Sequence, residues 1–158
     1  MNGKTLMIAR GALIAAMYAA VTLIFLPVSY GPVQFRISEA LTLLPCLWPE
    51  AIPGLFAGCL IANLIGGMGP WDVILGSAAT LSAGVLTYLA PNRILAASAP
   101  VAVNALIVGW YLSFLTNMPV YLSVLYVACG EAVACYALGL PLIRFLEHIE
   151  SIKTVKNK

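Results

Sequence analysis

Charged side chains are scarce in this sequence, and their scarcity excludes an ordinary soluble domain. Asp, Glu, Lys and Arg make up 9% of the 158 residues, whereas 62% are hydrophobic. The mean hydropathy is +0.99. Soluble domains carry about 25% charged residues. A soluble core of this size has too little interior to hide so much apolar surface, so we expect lipid to cover it.

Groups that support catalysis or cofactor binding are also few. The sequence has one histidine and four cysteines without a C-x-x-C pair, so no metal or redox site is predicted. It has neither a complete phosphate-binding loop nor a Ser/His/Asp set within the apolar runs. The net charge of +2 lacks the clustered basic face that nucleic acid binding requires. We therefore predict no enzymatic activity, no cofactor and no nucleic-acid partner.

Continuous apolar runs occupy most of the chain. A membrane core about 30 Å thick needs about 20 apolar residues per helix, and runs without period-two alternation favour helices over a barrel. The first run is too long for the apolar part of a signal peptide, so we expect it to be retained. The second is short, so we expect it to be tilted or partly buried by neighbours. The prediction is an all-α integral membrane protein, a single domain over 1–158, with six transmembrane helices near 9–27, 37–48, 51–66, 72–90, 94–115 and 120–146.

The basic residues favour one orientation of these helices. With the N-terminus inside and six spans, every lysine and arginine except Arg36 lies on the inner side. This distribution agrees with the positive-inside rule. It predicts cytoplasmic N- and C-termini in a multi-pass protein of the plasma membrane, and it leaves Arg36 as an exception that needs a reason.

Seven polar residues interrupt the apolar runs or flank them. A charge at the bilayer centre costs about 2.5–3.5 kcal/mol on insertion scales, so such residues are functional candidates. Most of them fall toward the outer half, at the level of several aromatic rings, and such a pocket would suit a planar heterocycle with several N–H donors. The seven are Arg36, Glu39, Asn63, Asp72, Asn104, Asn117 and Glu131. The predicted substrate-binding set takes all of these except Asn117 and adds Trp71 and Trp110.

Structural roles are the alternative for each candidate. Arg36 could pair with Glu39 three residues on, Asp72 could only cap its helix, and Asn104 could bond a neighbouring helix. The aromatic residues could belong to the interfacial belt. Glu131 is the hardest to explain in this way, because it lies in the middle of a run with no basic residue nearby in sequence.

Alanines recur at four-residue spacing in the first run. Ala12, Ala16 and Ala20 form one series, and Ala15 and Ala19 repeat the spacing. Small residues on one side of a membrane helix allow another helix to approach closely. The alternative is that alanine is simply common in membrane helices.

Three segments together resemble a known family. They are 33–45 (VQFRISEALTLLP), 52–63 (IPGLFAGCLIAN) and, after a Gly-Gly pair, 72–80 (DVILGSAAT). The first is the most specific. The pattern resembles the QueT family, the substrate-capture (S) components of energy-coupling factor (ECF) transporters.

The resemblance implies a fold, partners and a substrate class. The fold is the six-helix S-component fold with both termini cytoplasmic. The partners are a transmembrane coupling protein and two ATPase subunits, and the substrates are queuosine precursors, 7-deazaguanines such as preQ1. The series of Ala12, Ala16 and Ala20 is similar to the A-x-x-x-A motif by which S components dock on the coupling protein.

The resemblance also suggests roles for individual residues. The loop 28–36 would close over the ligand, and Glu39 would accept the guanine-like N–H edge. Glu131 or Asp72 would pair with the aminomethyl cation of preQ1, while Asn63 and Asn104 would orient the ring. The loaded protein would then topple in the membrane. The alternatives are a solitary ion-coupled carrier and a non-transporting subunit of a membrane complex.

Overall fold

The structure is a bundle of helices that pack side by side. It is a computed structural model that describes residues 2–29, 35–67 and 69–156, with side chains as far as residue 149. Every regular element in these ranges is helical, which confirms the all-α prediction. A one-turn helix, Leu26–Ser29, follows the first long helix. The principal helices are α1 Gly3–Ile24, α2 Ile37–Cys46, α3 Ala51–Gly66, α4 Asp72–Leu89, α5 Arg93–Thr116 and α6, which begins at Val120 and ends at Lys156.

Four of these helices are long and apolar enough to cross a membrane, namely α1, α4, α5 and α6. The other two are apolar but shorter, with 10 residues in α2 and 16 in α3. The first helix begins at Gly3, earlier than predicted, because residues 4–10 contain no proline or glycine to interrupt it. The last continues to Lys156, ten residues beyond the predicted end of the sixth span at 146.

Defined caps bound two of the helices, α5 at both ends and α3 at its C-terminus. The Asn92 side chain accepts a hydrogen bond from the Leu95 amide at 2.9 Å and so starts α5. Asn117 adopts a left-handed conformation with φ of 54° and closes the same helix. Gly67, with φ of 67°, does the same for α3. Asn117 is exposed and lies at the chain reversal between α5 and α6, so its place in the structure is that of a helix cap.

The helix α2 lies inside the bundle. All residues from 38 to 45 are buried, as expected for a run too short to face lipid along its length. Its geometry, however, is 3₁₀ rather than α. A 3₁₀ helix rises about 2 Å per residue, so ten residues extend about 20 Å instead of about 15 Å. Residues three apart share one edge in this geometry, which places Glu39 and Thr42 side by side.

The closest helix contact joins α1 to α3. A Cβ atom on Gly54 would lie 2.5 Å from the Gly11 carbonyl oxygen, and one on Gly58 would lie 2.6 Å from that of Ala15. Both distances are shorter than any real contact, so only glycine allows the two backbones to approach in this way. One side of α1 is thus buried against α3, and its other side faces outward.

Replacing Gly58 by alanine is expected to loosen this contact. The added methyl group must push α1 away, and overpacking of this kind costs about 1–3 kcal/mol. Gly84→Ala is the matched control, because its Cβ would meet Ile52 at an ordinary 3.8 Å. Thermal unfolding of the purified proteins in detergent measures the difference. A Gly58→Ala protein as stable as Gly84→Ala would contradict the packing described.

Candidate functional site

Charged side chains meet in the interior of the bundle. Among the described residues, the buried charged groups are Arg36, Glu39, Asp72 and Glu131, each no more than 4% exposed. They come from α4, α6 and the first turn of α2 with the residue before it. Buried charge is costly unless it is paired or neutralised, so its concentration at one place marks a functional candidate.

Asp72 is held by two donors from distant parts of the chain. The Arg36 guanidinium pairs with the Asp72 carboxylate at 2.9 Å, and the Tyr111 hydroxyl donates to the same oxygen at 2.7 Å. Helical spacing suggested Glu39 as the partner of Arg36. The ion pair with Asp72 joins residues 36 positions apart in the chain. Asp72 begins a π-helical turn and is 1% exposed, so its role goes beyond capping.

Asn63 fixes the position of this carboxylate. Its amide nitrogen donates to the backbone carbonyl of Asp72 at 2.7 Å and lies 3.4 Å from the Ser77 hydroxyl. Gly76 makes room for the convergence, since a Cβ there would lie 3.2 Å from the Asn63 amide nitrogen and 3.4 Å from the Tyr111 hydroxyl. Asn63 was predicted to orient a ligand; in the structure its amide nitrogen joins α3 to the start of α4.

Glu39 has one oxygen occupied and one without a partner. Tyr18 donates its hydroxyl to Oε1. The other oxygen, Oε2, is buried and has no hydrogen-bond partner among the described residues. A buried acceptor left unsatisfied is costly, so this atom is a natural place for a ligand donor.

Tyr18 was missed by reasoning from the sequence. It is fully buried in α1 with Ile14 and Thr22. These residues recur every four positions, so the spacing marks one face of a helix. A hydroxyl-bearing ring in the centre of such a face was the signal that could have identified it.

Glu131 forms the third part of the cluster. The amide nitrogen of Asn104 donates to Glu131 Oε1 at 2.9 Å, so Asn104 does bond a neighbouring helix, and its partner is a candidate site residue. The Cys135 sulfur lies 3.7 Å from the backbone oxygen of Glu39 and 4.0 Å from Glu131 Oε2. Cys135 thus links the parts of α2 and α6 that carry the two glutamates.

The cluster has an excess of acidic groups. Among the described buried residues, three carboxyl groups face one guanidinium group. Charges in a low-dielectric interior interact strongly, so an added positive charge would be stabilised there. The chemistry suits a ligand that combines N–H donors with a cationic group.

The two predicted tryptophans lie outside this cluster. Trp71 and Trp110 are each 50% exposed. They line a groove of about 170 Å³ with Tyr111, Phe114 and Leu115. Among these groove residues, Tyr111 donates its hydroxyl to the Asp72 carboxylate.

The alanines of α1 face two ways. Ala12, Ala16 and Ala20 are exposed, whereas Ala19 is buried and Ala15 is half-buried at the contact with α3. The predicted closing loop 28–36 includes residues 30–34, which lie outside the described residues.

Comparison with known sequences places the chain in a family. The sequence model described as QueT transporter matches residues 8–148, which include the whole buried cluster. The chain belongs to the QueT transporter family. This confirms the resemblance, and with several apolar helices of spanning length it makes the protein a membrane protein of a transporter family.

A named member of the QueT family is similar over part of the chain. The queuosine precursor transporter QueT of Lactococcus lactis subsp. cremoris (strain MG1363) is 37% identical over 93 residues. The match covers 55% of this chain and 54% of that protein, so the chain spans about half the length of this curated relative. No solved structure matches the chain.

Proposed function

We propose that this protein captures a queuosine precursor, a 7-deazaguanine such as preQ1, from outside the cell. It acts as the S component of an ECF transporter, and a transmembrane coupling protein with two ATPase subunits supplies the energy. Membership of the QueT transporter family and the name of the Lactococcus relative support the transport of this substrate class. The observation that carries the site is the buried, unpartnered Oε2 of Glu39.

The contacts of the cluster suggest how the ligand is bound. Glu39 Oε2 accepts an N–H group from the guanine-like edge of the ring. Glu131, held by Asn104, balances the aminomethyl cation of preQ1. Asp72 already receives Arg36 and Tyr111, so it organises the site and is not the cation partner. Asn63 supports Asp72 from behind.

Titration calorimetry with preQ1, preQ0, queuine and guanine tests this function. We expect saturable binding of a 7-deazaguanine. Glu39→Gln should weaken it by about 1.5–3 kcal/mol, roughly 10- to 150-fold in Kd, because a charged hydrogen bond is lost. Glu50→Gln is the matched control, since Glu50 pairs with Arg10, which is not a residue of the cluster.

Two outcomes would contradict parts of the proposal. Unchanged affinity in Glu39→Gln would remove Glu39 from the site. Absence of heat with all four compounds would void the queuosine assignment, and mass spectrometry of molecules that co-purify would then identify the ligand.

The topology we propose follows from the charges. The whole chain is one membrane domain with six spans in the plasma membrane, and both termini face the cytoplasm. In this arrangement α2 and α3 also cross the membrane, with α2 shielded from lipid by its neighbours. The N-terminal end of α1, which carries Lys4 and Arg10, then lies on the cytoplasmic side, in agreement with the positive-inside rule.

The outward-facing alanines support a docking role. Ala12, Ala16 and Ala20 are exposed along one edge of α1, and their small side chains allow a helix of the coupling protein to approach closely. A membrane protein that only binds its ligand has no need for this smooth edge, so it is the proposed contact with the energising partner.

A solitary carrier is the second candidate. Cys135 contacts two buried glutamates, Glu39 through its backbone oxygen and Glu131 through its carboxyl group, and intramembrane carboxyl groups often relay protons. Proteoliposomes that contain this protein alone distinguish the two. Accumulation of preQ1 driven by a pH gradient without any ATPase would favour the carrier and contradict the S-component role.

A further inference from the structure

A small aromatic groove lies directly outside the buried cluster. It has a volume of about 170 Å³ and is lined by Trp71, Trp110, Tyr111, Phe114 and Leu115. The indole of Trp110 is packed edge-on against Phe114, with ring centroids 5.1 Å apart and planes at 78°. This contact restrains Trp110, so a flat aromatic face is presented in a defined position.

The groove and the cluster share one wall. Tyr111 lines the groove, is 2% exposed, and donates its hydroxyl to Asp72 at 2.7 Å. Groove and cluster residues are also adjacent in the sequence. Trp71 precedes Asp72, and Trp110 precedes Tyr111, the residue that donates to Asp72. The Tyr111 side chain therefore separates a surface of aromatic faces from the acidic interior.

We propose that this groove is an encounter site where a planar heteroaromatic cation stacks before it passes Tyr111 into the buried cluster. The inference rests on the proposed function and extends it to the route of entry. Indole faces attract both planar rings and cations. The excess of carboxyl groups behind Tyr111 draws the same cation inward. The short groove matches a compact ring system better than an extended lipid chain.

An encounter site has a kinetic signature that a final binding site lacks. Loss of the groove raises the barrier to entry and to exit alike, whereas the contacts of the fully bound state are untouched. The association and dissociation rates of preQ1 should therefore fall together, and Kd should stay nearly constant.

The test uses rapid-mixing binding of radiolabelled preQ1 to the full-length protein in lipid nanodiscs. In the Trp71→Ala/Trp110→Ala protein both rates should fall about tenfold, with Kd within about twofold of wild type. The Trp71→Phe/Trp110→Phe protein keeps two flat rings and should recover most of the rate. Tyr121→Ala is the matched control, because Tyr121 is an exposed aromatic residue, 71% accessible, that does not line the groove.

The possible results distinguish failure of the encounter site from failure of the proposed function. Unchanged rates in the double alanine protein would overturn the encounter site and leave the proposed function intact. An equal loss of rate in Tyr121→Ala would also overturn it, because the aromatic residues would then act only as membrane anchors. A rise in Kd caused by faster dissociation alone would place the tryptophans in the final site instead. Failure of the wild type to bind preQ1 would overturn this inference, and failure to bind any of the four compounds tested by calorimetry would overturn the proposed function with it.

Discussion

The Glu131→Gln protein is expected to lose its preference for a cationic ligand. Glutamine keeps an oxygen that accepts the hydrogen bond from Asn104, which spans 2.9 Å in the native protein, but it removes the negative charge. Binding of preQ1, which carries an aminomethyl cation, should weaken by about 1.5–3 kcal/mol, the scale of a charge-assisted hydrogen bond. Binding of preQ0, which carries a neutral nitrile, should change by less than about 0.5 kcal/mol.

Competition calorimetry with both compounds measures this change in selectivity. The ratio of the two dissociation constants is the quantity to follow, because a general loss of folding affects both ligands equally. Glu147→Gln is the matched control on the same helix, since Glu147 pairs with Arg93 and is partly exposed. Equal losses for preQ1 and preQ0 in Glu131→Gln would show that Glu131 only supports the fold.

The second large effect is expected at Ala16. Ala16→Leu should leave preQ1 binding unchanged, because the residue is exposed on α1 and does not contact the cluster. It should nevertheless reduce uptake by at least about tenfold, since overpacking a close helix contact costs about 1–3 kcal/mol. Cells or proteoliposomes that contain the coupling protein and both ATPases provide the uptake measurement.

An exposed alanine on another helix provides the control for this experiment. Ala102→Leu adds the same side chain to α5, where Ala102 is also exposed, and it should support normal uptake. Normal uptake by Ala16→Leu would remove α1 from the docking surface. Weakened preQ1 binding in that variant would instead show that the substitution disturbs the bundle itself.

Part of the site could be predicted because polar residues are conspicuous in an apolar chain. Glu39, Asp72 and Glu131 were identified by their position in or beside hydrophobic runs, and the structure brings all three to one place. Charged side chains are energetically costly inside a membrane, so they are rare there unless they have a function. Tyr18 could not be identified in this way, because a tyrosine is unremarkable in a membrane helix.

The partners of these residues could not be predicted. Arg36 meets Asp72 across 36 positions, Tyr18 meets Glu39 across 21, and Asn104 meets Glu131 across 27. Helical spacing relates only residues three or four apart, so it suggested Glu39 as the ion-pair partner of Arg36. Contacts of long range depend on which helices are neighbours, and a single sequence does not state this.

By itself, the sequence determined the class of protein, the positions of its helices and its family. Hydropathy and helix-breaking residues act locally, so they can be followed along the chain. Only the tertiary structure decided which faces of the helices turn inward. In a soluble helix the apolar side marks the core, but a membrane helix is apolar on all sides. The inward face of α1, the burial of α2 and the outer position of Trp71 and Trp110 were therefore settled by packing, because only close contact between side chains distinguishes a helix neighbour from lipid.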